Sequence, residues 1–201
     1  MTSFWDERYQ TDEYVFGEQP NAFLASQVDL VRRHKRALAV ADGEGRNGVW
    51  LAEQGLEVVS VDASAVGLAK ARRLAARRGT KIETVLADLA TFDWPEDAFD
   101  LVVAIFIQFA DPPLRSAIFR GIKRTLRPGG TLILEGYRAE QLGYGTGGPG
   151  ELDKLYTLEM LEQAFSDMEI VHLRAHDSAI TEGKAHAGMS ALLDLIARKP
   201  L

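Results

Sequence analysis

The strongest constraint on the fold is a regular alternation of strand-type and helix-type segments that begins at residue 37. Short apolar runs of the kind found in buried strands alternate with stretches whose apolar residues recur every three or four positions. The predicted strands of this part are 37–41, 57–62, 82–87, 100–106 and 131–136. Helices are predicted to begin at Asn47, Ser64 and Asp111. Such alternation predicts a parallel sheet with right-handed crossover helices.

The last fifty residues follow a different pattern. A helix over 157–165 precedes two strand-type runs, 169–180 and 187–197, with a turn around 181–184. Two strands in succession predict an antiparallel hairpin at the sheet edge. The predicted fold is therefore α/β: a Rossmann-like, doubly wound, mostly parallel sheet with an antiparallel C-terminal strand pair and helices on both faces. We expect one domain overall, with a helical and aromatic cap over 1–36 and the main domain over 37–201.

Composition excludes several classes of function. The 201-residue chain has a net charge of −6 and no cysteine, which rules out disulfides and thiolate metal sites and disfavours a nucleic-acid partner. No apolar run approaches the ~18 residues of a membrane span, and the N-terminus lacks the pattern of a secretory signal. We expect a cytoplasmic protein with no metal and no membrane partner; nothing here indicates the oligomeric state.

A glycine pattern marks the predicted ligand site. In a doubly wound sheet the ligand crevice lies beyond the carboxyl ends of the strands, next to the first one. Gly43, Gly45 and Gly48 follow the first strand with the spacing G-x-G-x-x-G, and Asp62 closes the second strand. Between a strand and a helix, this pattern indicates a nucleotide-type ligand more strongly than an unliganded tight turn.

The charge of this loop separates two ligand classes. Asp42 and Glu44 bracket Gly43, and carboxylates this close to a dinucleotide pyrophosphate would each cost of order 1 kcal/mol. S-adenosylmethionine has no phosphate and carries an ammonium and a sulfonium, so the acidic loop favours it. Asp62 is placed to accept hydrogen bonds from the ribose, and Asp88, at the end of the third strand, from the adenine amino group.

Several segments also carry a family resemblance. They are GEGRN (43–47), VVSVDAS (58–64), ADLATF (87–92), FDLVVAIF (99–106) and LRPGG (126–130). Together they resemble the class I S-adenosylmethionine-dependent methyltransferases, and GEGRN resembles the tellurite-resistance methyltransferase-like branch. The glycine pattern, the loop charge and this resemblance together give the predicted cofactor-binding residues: Asp42, Gly43, Glu44, Gly45, Arg46, Asn47, Asp62, Ala63, Ser64, Asp88, Leu89 and Ile105.

The resemblance also divides these residues among parts of the cofactor. It places Gly43, Gly45 and Asn47 along the methionine part, residues 62–63 along the ribose and residues 88–89 along the adenine. Many class I enzymes have a carboxylate two residues before the first glycine, where this chain has Ala41. Whether Asp42 or Glu44 meets the ammonium therefore stays open.

The sequence says less about the residues that bind the methyl acceptor. Methyl transfer requires a nucleophile held in line about 3 Å from the methyl group; a thiolate or metalloid anion needs no general base, whereas an amine or hydroxyl does. No catalytic residue is therefore assigned. The candidate substrate residues are Trp5, Tyr9, Gln108, Tyr137, Arg138 and His186. The aromatic N-terminus is interpreted equally well as a lid or as a helix packed on the sheet edge. Residues 143–150, with five glycines, predict a mobile loop over the pocket.

Two further patterns have structural explanations that we prefer. A metal site built from His172, His176 and His186 is less expected than histidines on the surface of an edge hairpin. DPPL (111–114) is similar to a motif of DNA amino-methylating enzymes, but helix capping explains it better.

The resulting prediction is an S-adenosylmethionine-dependent methyltransferase that acts by in-line displacement on a small molecule or small anion. The resemblance makes a thiol or a metalloid oxyanion the natural acceptor. The alternatives are an NAD(P)-dependent oxidoreductase and a non-catalytic S-adenosylmethionine-binding protein.

Overall fold

A computed structural model describes residues 4–183 and 186–201 of the chain. Its strands are β1 (Arg36–Val40), β2 (Glu57–Asp62), β3 (Glu83–Leu86), β4 (Phe99–Ile105), β5 (Leu126–Tyr137), β6 (Glu169–Thr181) and β7 (Ala187–Arg198). They form one sheet in the order β3-β2-β1-β4-β5-β7-β6. The first five strands are parallel, while β7 runs antiparallel to β5 and β6. The fold prediction is thus confirmed, although residue 184 of the predicted turn lies outside the described residues.

The helices are α1 (Phe4–Tyr9), α2 (Ala22–Ser26), α3 (Val28–Val31), α4 (Arg46–Glu53), α5 (Ala65–Arg77), α6 (Pro112–Thr125), α7 (Gln141–Tyr144) and α8 (Leu158–Ala164), with a 3-10 turn at Leu152–Lys154. Ser64, Asp111 and Thr157 cap α5, α6 and α8 by accepting a backbone N–H three residues on. The capping interpretation of Asp111 is therefore confirmed. None of the helices in the described ranges has the length and apolar character needed to cross a membrane.

Apolar side chains fill both faces of the sheet. On one face Leu38 and Val102 pack with Ile118 of α6, and on the other Leu101 packs with Leu51 of α4. Burial on both faces explains why the central strands consist of consecutive apolar residues. With its faces covered by helices, the sheet leaves the carboxyl ends of β1, β2 and β4 free to form a site.

Backbone strain is concentrated where two neighbouring strands end. Ala41 follows β1 with φ 48°, and Phe106 follows β4 with φ 54°. Positive φ is uncommon outside glycine and often accompanies a functional site. Both residues turn the chain away from the sheet at the same edge, and the predicted fourth strand therefore ends one residue early, at Ile105.

The fifth strand is longer than its pattern predicts. Arg127-Pro128-Gly129-Gly130 has the composition of a turn, yet β5 begins at Leu126, which pairs with Phe99 of β4. Gly129 donates its N–H to the carbonyl oxygen of Lys199 at 3.0 Å, so the C-terminal tail supplies a partner that local pattern cannot show.

Candidate functional site

A cavity of about 320 Å³ lies at the carboxyl ends of β1, β2 and β4. Most of the predicted cofactor-binding residues line it. They are Asp42, Gly43, Glu44, Arg46, Asn47, Asp62, Ala63, Asp88, Leu89 and Ile105. The predicted crevice and the observed cavity therefore coincide, and we call it the cofactor cavity.

The other two predicted residues lie behind the cavity wall. Gly45 has φ 87°, and a Cβ there would approach the Cβ of Ala71 to 2.5 Å, so this glycine lets α4 pack closely on α5. The Ser64 hydroxyl accepts from the N–H of Gly67 at 2.9 Å and donates to a carboxylate oxygen of Asp6 at 2.6 Å. Both residues position the elements around the cavity.

Asp62 links the ends of two loops. Its carboxylate accepts the N–H of Gly43 and the N–H of Ser64, each at 2.8 Å. Burial raises the pKa of Asp62, and the two N–H donors oppose that shift. Because a carboxylate oxygen can accept two hydrogen bonds, both oxygens retain capacity for a diol in the cavity.

The buried carboxylate of Asp42 stabilises the glycine turn through hydrogen bonds. Its carboxylate accepts the Ser60 hydroxyl at 2.7 Å and the N–H of Gly48 at 3.1 Å. A Cβ on Gly48 would lie 2.3 Å from the Asp42 Oδ2, so the third glycine of the motif makes room for this carboxylate. Burial raises the pKa of Asp42 to about 7.

Glu44 binds the N-terminal segment to the loop. It forms a buried ion pair with Lys70 and accepts the N–H of Phe16 at 3.3 Å. The Lys70 ammonium, only 1% exposed, also donates to three backbone carbonyls within residues 9–13. Both loop carboxylates thus line the cavity and have protein partners, and the geometry does not single out one of them for an ammonium.

Aromatic residues of the N-terminal segment cover the cofactor cavity. Trp5 and Tyr9 are stacked with ring centroids 5.7 Å apart, and Phe16 stands edge-on to Tyr9 at 6.2 Å. A Cβ on Gly43 would meet the Tyr9 hydroxyl at 2.5 Å. Burial, together with Asp62 and other nearby carboxylates, raises the pKa of Tyr9, which keeps its hydroxyl protonated. Helix α1 packs on α5 and contributes to the cavity wall as well.

A second cavity, of about 430 Å³, adjoins the first; we call it the outer cavity. Five side chains line both cavities: Trp5, Phe16, Phe106, Phe109 and His186. The outer cavity is completed by Phe4, Arg8, Gln108, Tyr137, Gly148, Pro149, Glu151 and Lys154. The glycine-rich loop therefore contributes to its rim, where Gly148 packs against the Tyr137 ring; the mobility of that loop stays a prediction.

The predicted substrate residues are divided unequally between the cofactor cavity and the outer cavity. Trp5 and His186 line both cavities, Tyr9 lines the cofactor cavity, and Gln108 and Tyr137 line the outer cavity. Arg138 lines neither of them; its guanidinium forms ion pairs with Glu140 and Asp177.

His186 is buried between aromatic rings. Its imidazole stacks on Phe106 at 4.5 Å and lies parallel to Tyr137 at 5.6 Å, and its Nδ1 forms a hydrogen bond with the Tyr137 hydroxyl. Burial lowers the pKa of His186 to about 3, with Arg46 and Arg8 adding to the shift. The histidine is therefore neutral at physiological pH. Among the described residues no group of three metal-ligating side chains is close enough to hold a metal ion.

The side-chain amide of Gln108 forms hydrogen bonds with backbone groups of the protein. The Nε2 donates to the carbonyl oxygens of Tyr137 and Lys154 at 2.8 and 3.1 Å, and the Oε1 accepts the N–H of Tyr137 at 2.5 Å. It fixes the end of β5 to the segment that carries Lys154.

The sequence analysis does not single out three residues that line the cavities: Arg8, Phe106 and Phe109. Phe106 is predicted to lie in a strand, and only its positive φ shows that it turns into the site.

Comparison with known proteins identifies the family. A family model described as a methyltransferase domain matches residues 37–130, which contain the glycine turn and Asp62. Residues 37–130 form a methyltransferase domain of the class I S-adenosylmethionine-dependent type. Demethylmenaquinone methyltransferase of Thermus thermophilus is 35% identical over 114 residues, which is 55% of this chain and 50% of that protein. The chain spans about half the length of the curated relatives it matches.

Solved structures agree in fold. TehB from Haemophilus influenzae superposes with a TM-score of 0.74 at 16% identity, covering 98% of this chain and 66% of TehB. The N-methyltransferase NodS from Bradyrhizobium japonicum, in complex with S-adenosyl-L-homocysteine, superposes with a TM-score of 0.72 at 15% identity, covering 98% and 97%. The family model and the curated relatives confirm the family resemblance found in the sequence.

The residues of the cofactor cavity fit S-adenosylmethionine, the cofactor of this family. Asp62 offers acceptor capacity for a ribose, and the loop carboxylates offer negative charge for the ammonium and sulfonium. A pyrophosphate would need free N–H groups at the start of α4, but the N–H of Gly48 is already bonded to Asp42. The dinucleotide alternative is therefore not favoured.

Proposed function

We propose that this chain transfers a methyl group from S-adenosylmethionine to a small acceptor bound in the outer cavity, and that it does so in the cytoplasm. The shared aromatic wall of the two cavities carries this proposal. When bound, the cofactor supplies an electrophilic methyl group. The protein's contribution is to hold both molecules in adjoining cavities and to exclude water with Trp5, Phe16, Phe106 and Phe109.

The acceptor must bring its own nucleophile. A general base works best when its pKa lies near the working pH, and the pKa of His186 is about 3. Burial raises the pKa of Tyr137, while the ion pair with Lys154 lowers that of Glu151. These groups of the outer cavity are poor bases at neutral pH, so we favour a thiol or a metalloid oxyanion over an amine or an alcohol. With the acidic net charge, we also favour a small molecule over a nucleic acid.

Product formation tests this function directly. The purified chain is incubated with S-adenosylmethionine and, separately, a small thiol, tellurite or a primary amine, and S-adenosylhomocysteine is measured by mass spectrometry. We expect turnover with the thiol or the oxyanion and none with the amine. Calorimetric binding of S-adenosylhomocysteine without turnover of any acceptor would instead support a non-catalytic binding protein. Binding of NADH alone would support an oxidoreductase.

A further inference from the structure

The walls of the outer cavity are mostly flat rings. Phe4 stands edge-on to Trp5 at 5.3 Å, Phe16 lies 4.7 Å from the His186 ring, and Phe106 stacks on Tyr137 at 4.6 Å. Aromatic walls stabilise a ligand through apolar contact and ring stacking. A strongly hydrated metalloid oxyanion would lose its water there without equivalent hydrogen bonds. The cavity therefore suits a flat, largely apolar molecule.

One positive charge at this cavity has no anionic partner among the described residues. The Arg8 guanidinium lies over the Trp5 and Phe16 rings at 5.7 and 5.3 Å, and it forms no ion pair with a carboxylate within residues 4–183 and 186–201. Lys154, which also lines the cavity, is paired with Glu151 at 3.0 Å. Stacking on the two rings orients the guanidinium, and its paired N–H groups match a carboxylate.

We infer that the methyl acceptor is an aromatic thiol that bears a carboxylate, with its ring in the outer cavity and its carboxylate on Arg8. This inference rests on the proposed function. The thiol ionises to solvent before transfer, because the thiolate is the nucleophile and aromatic thiols are more acidic than aliphatic ones. Its sulfur lone pair forms the new bond to the methyl carbon. The bond between that carbon and the sulfonium breaks, and its electron pair stays on the cofactor sulfur, which leaves neutral S-adenosylhomocysteine and an aryl methyl thioether.

Arg8 would then act as a specificity residue. It lies on the exposed side of α1, so its substitution is compatible with folding. A carboxylate at the ring edge gains a charge-assisted, two-pronged contact that a neutral thiol lacks. Discrimination should therefore appear in KM for the charged thiol, while the sulfur chemistry is common to both thiols.

The experiment compares four acceptors and three forms of the protein under the same reaction conditions. Rates of S-adenosylhomocysteine formation are measured with 3-mercaptobenzoate, benzenethiol, 3-aminobenzenethiol and tellurite, for the parent chain, Arg8→Gln and Arg72→Gln. Arg72 lies on α5 and bonds Thr84, far in sequence from the cavity residues, and serves as the matched control. We expect kcat/KM for mercaptobenzoate to exceed that for benzenethiol about tenfold. Arg8→Gln should bring this ratio close to one through KM, and Arg72→Gln should leave it unchanged.

The outcomes separate this inference from the function it rests on. Turnover of thiols with equal preference, or a ratio insensitive to Arg8→Gln, would overturn the carboxylate assignment while methyl transfer stands. Faster turnover of tellurite than of every thiol would overturn the aromatic acceptor. Binding of S-adenosylhomocysteine without turnover of any of the four would remove the proposed function itself.

Discussion

Asp62 is the residue on which the placement of the cofactor depends most. Its carboxylate bonds the N–H groups of Gly43 and Ser64 and faces the cofactor cavity. Asp62→Ala should weaken binding of S-adenosylhomocysteine by about 1–3 kcal/mol, because it removes a charged acceptor and leaves two N–H groups without it. Calorimetric titration measures the change, with the exposed Asp167→Ala as control. Equal affinity for parent and Asp62→Ala would show that the ribose lies elsewhere.

Asp42 makes cofactor affinity dependent on pH. Burial raises its pKa to about 7, and the ammonium group of a bound ligand favours the ionised form. Affinity for S-adenosylhomocysteine should therefore be full above pH 7 and fall as the pH drops through 7, becoming up to about tenfold weaker at pH 6 than at pH 8. Titrations at both values measure this, and Asp42→Asn should flatten the profile. A flat profile in the parent would assign the ammonium to Glu44.

The raised pKa of Asp42 makes folding stability depend on pH in the opposite direction to cofactor affinity. Because the folded-state pKa of Asp42 lies above the ordinary aspartate value of 3.8, its contribution to stability is full below about pH 3.8 and is lost as the pH rises through 7. Cofactor binding and stability of the empty protein should therefore respond to pH in opposite directions between pH 6 and 8. A buried acid that destabilises the free chain while attracting the ligand is consistent with a functional position.

At the scale of elements, local signals predicted most of the fold. The run 57–62 coincides with β2, and Ser64 and Asp111 cap helices as their types suggest, because β-branched runs and capping residues act within a few positions. The wall between the two cavities could not be predicted in this way. Phe16, Phe106 and His186 are separated by 90 and 80 residues along the chain. Their rings meet only in the folded protein, where Phe16 and Phe106 both contact the His186 ring.

Lys70 is one of the points at which the N-terminal segment is fixed to the rest of the protein. It pairs with Glu44 and donates to carbonyls within residues 9–13. Lys70→Met should lower the free energy of unfolding by about 3–5 kcal/mol, because Glu44 is left buried without a partner. Adding Glu44→Gln should restore part of that loss, as denaturant unfolding would show. Arg72→Met on the same helix is the control; an equal effect of Arg72→Met would mean that side-chain bulk, not the ion pair, is responsible.

At the scale of the whole molecule, a buried polar network joins distant parts of the chain to the cofactor cavity. Arg46, at the start of α4, pairs with Glu182 near the end of β6 at 2.7 Å. Glu182 also accepts from the Asn21 side chain, which in turn donates to Glu135 of β5 at 2.8 Å. The backbone N–H of Asn21 bonds the Asn47 side chain at 2.9 Å. The glycine loop, the N-terminal segment and the C-terminal hairpin are therefore connected through polar groups with little exposure.

This network predicts that cofactor binding stabilises segments that do not touch the cofactor. Because Arg46 and Asn47 line the cofactor cavity, ordering them should also order their partners. Hydrogen exchange should slow on addition of S-adenosylhomocysteine at residues 42–48, 20–24 and 178–183 together. In Glu182→Gln residues 42–48 and 20–24 should still respond, because the bond from Asn21 to Asn47 remains, but residues 178–183 should not, since the charge that holds Arg46 to the hairpin is gone. Asp177→Asn, on β6 but outside the network, should behave like the parent. Protection of all three segments in Glu182→Gln would mean that the coupling passes through the sheet itself and not through this ion pair.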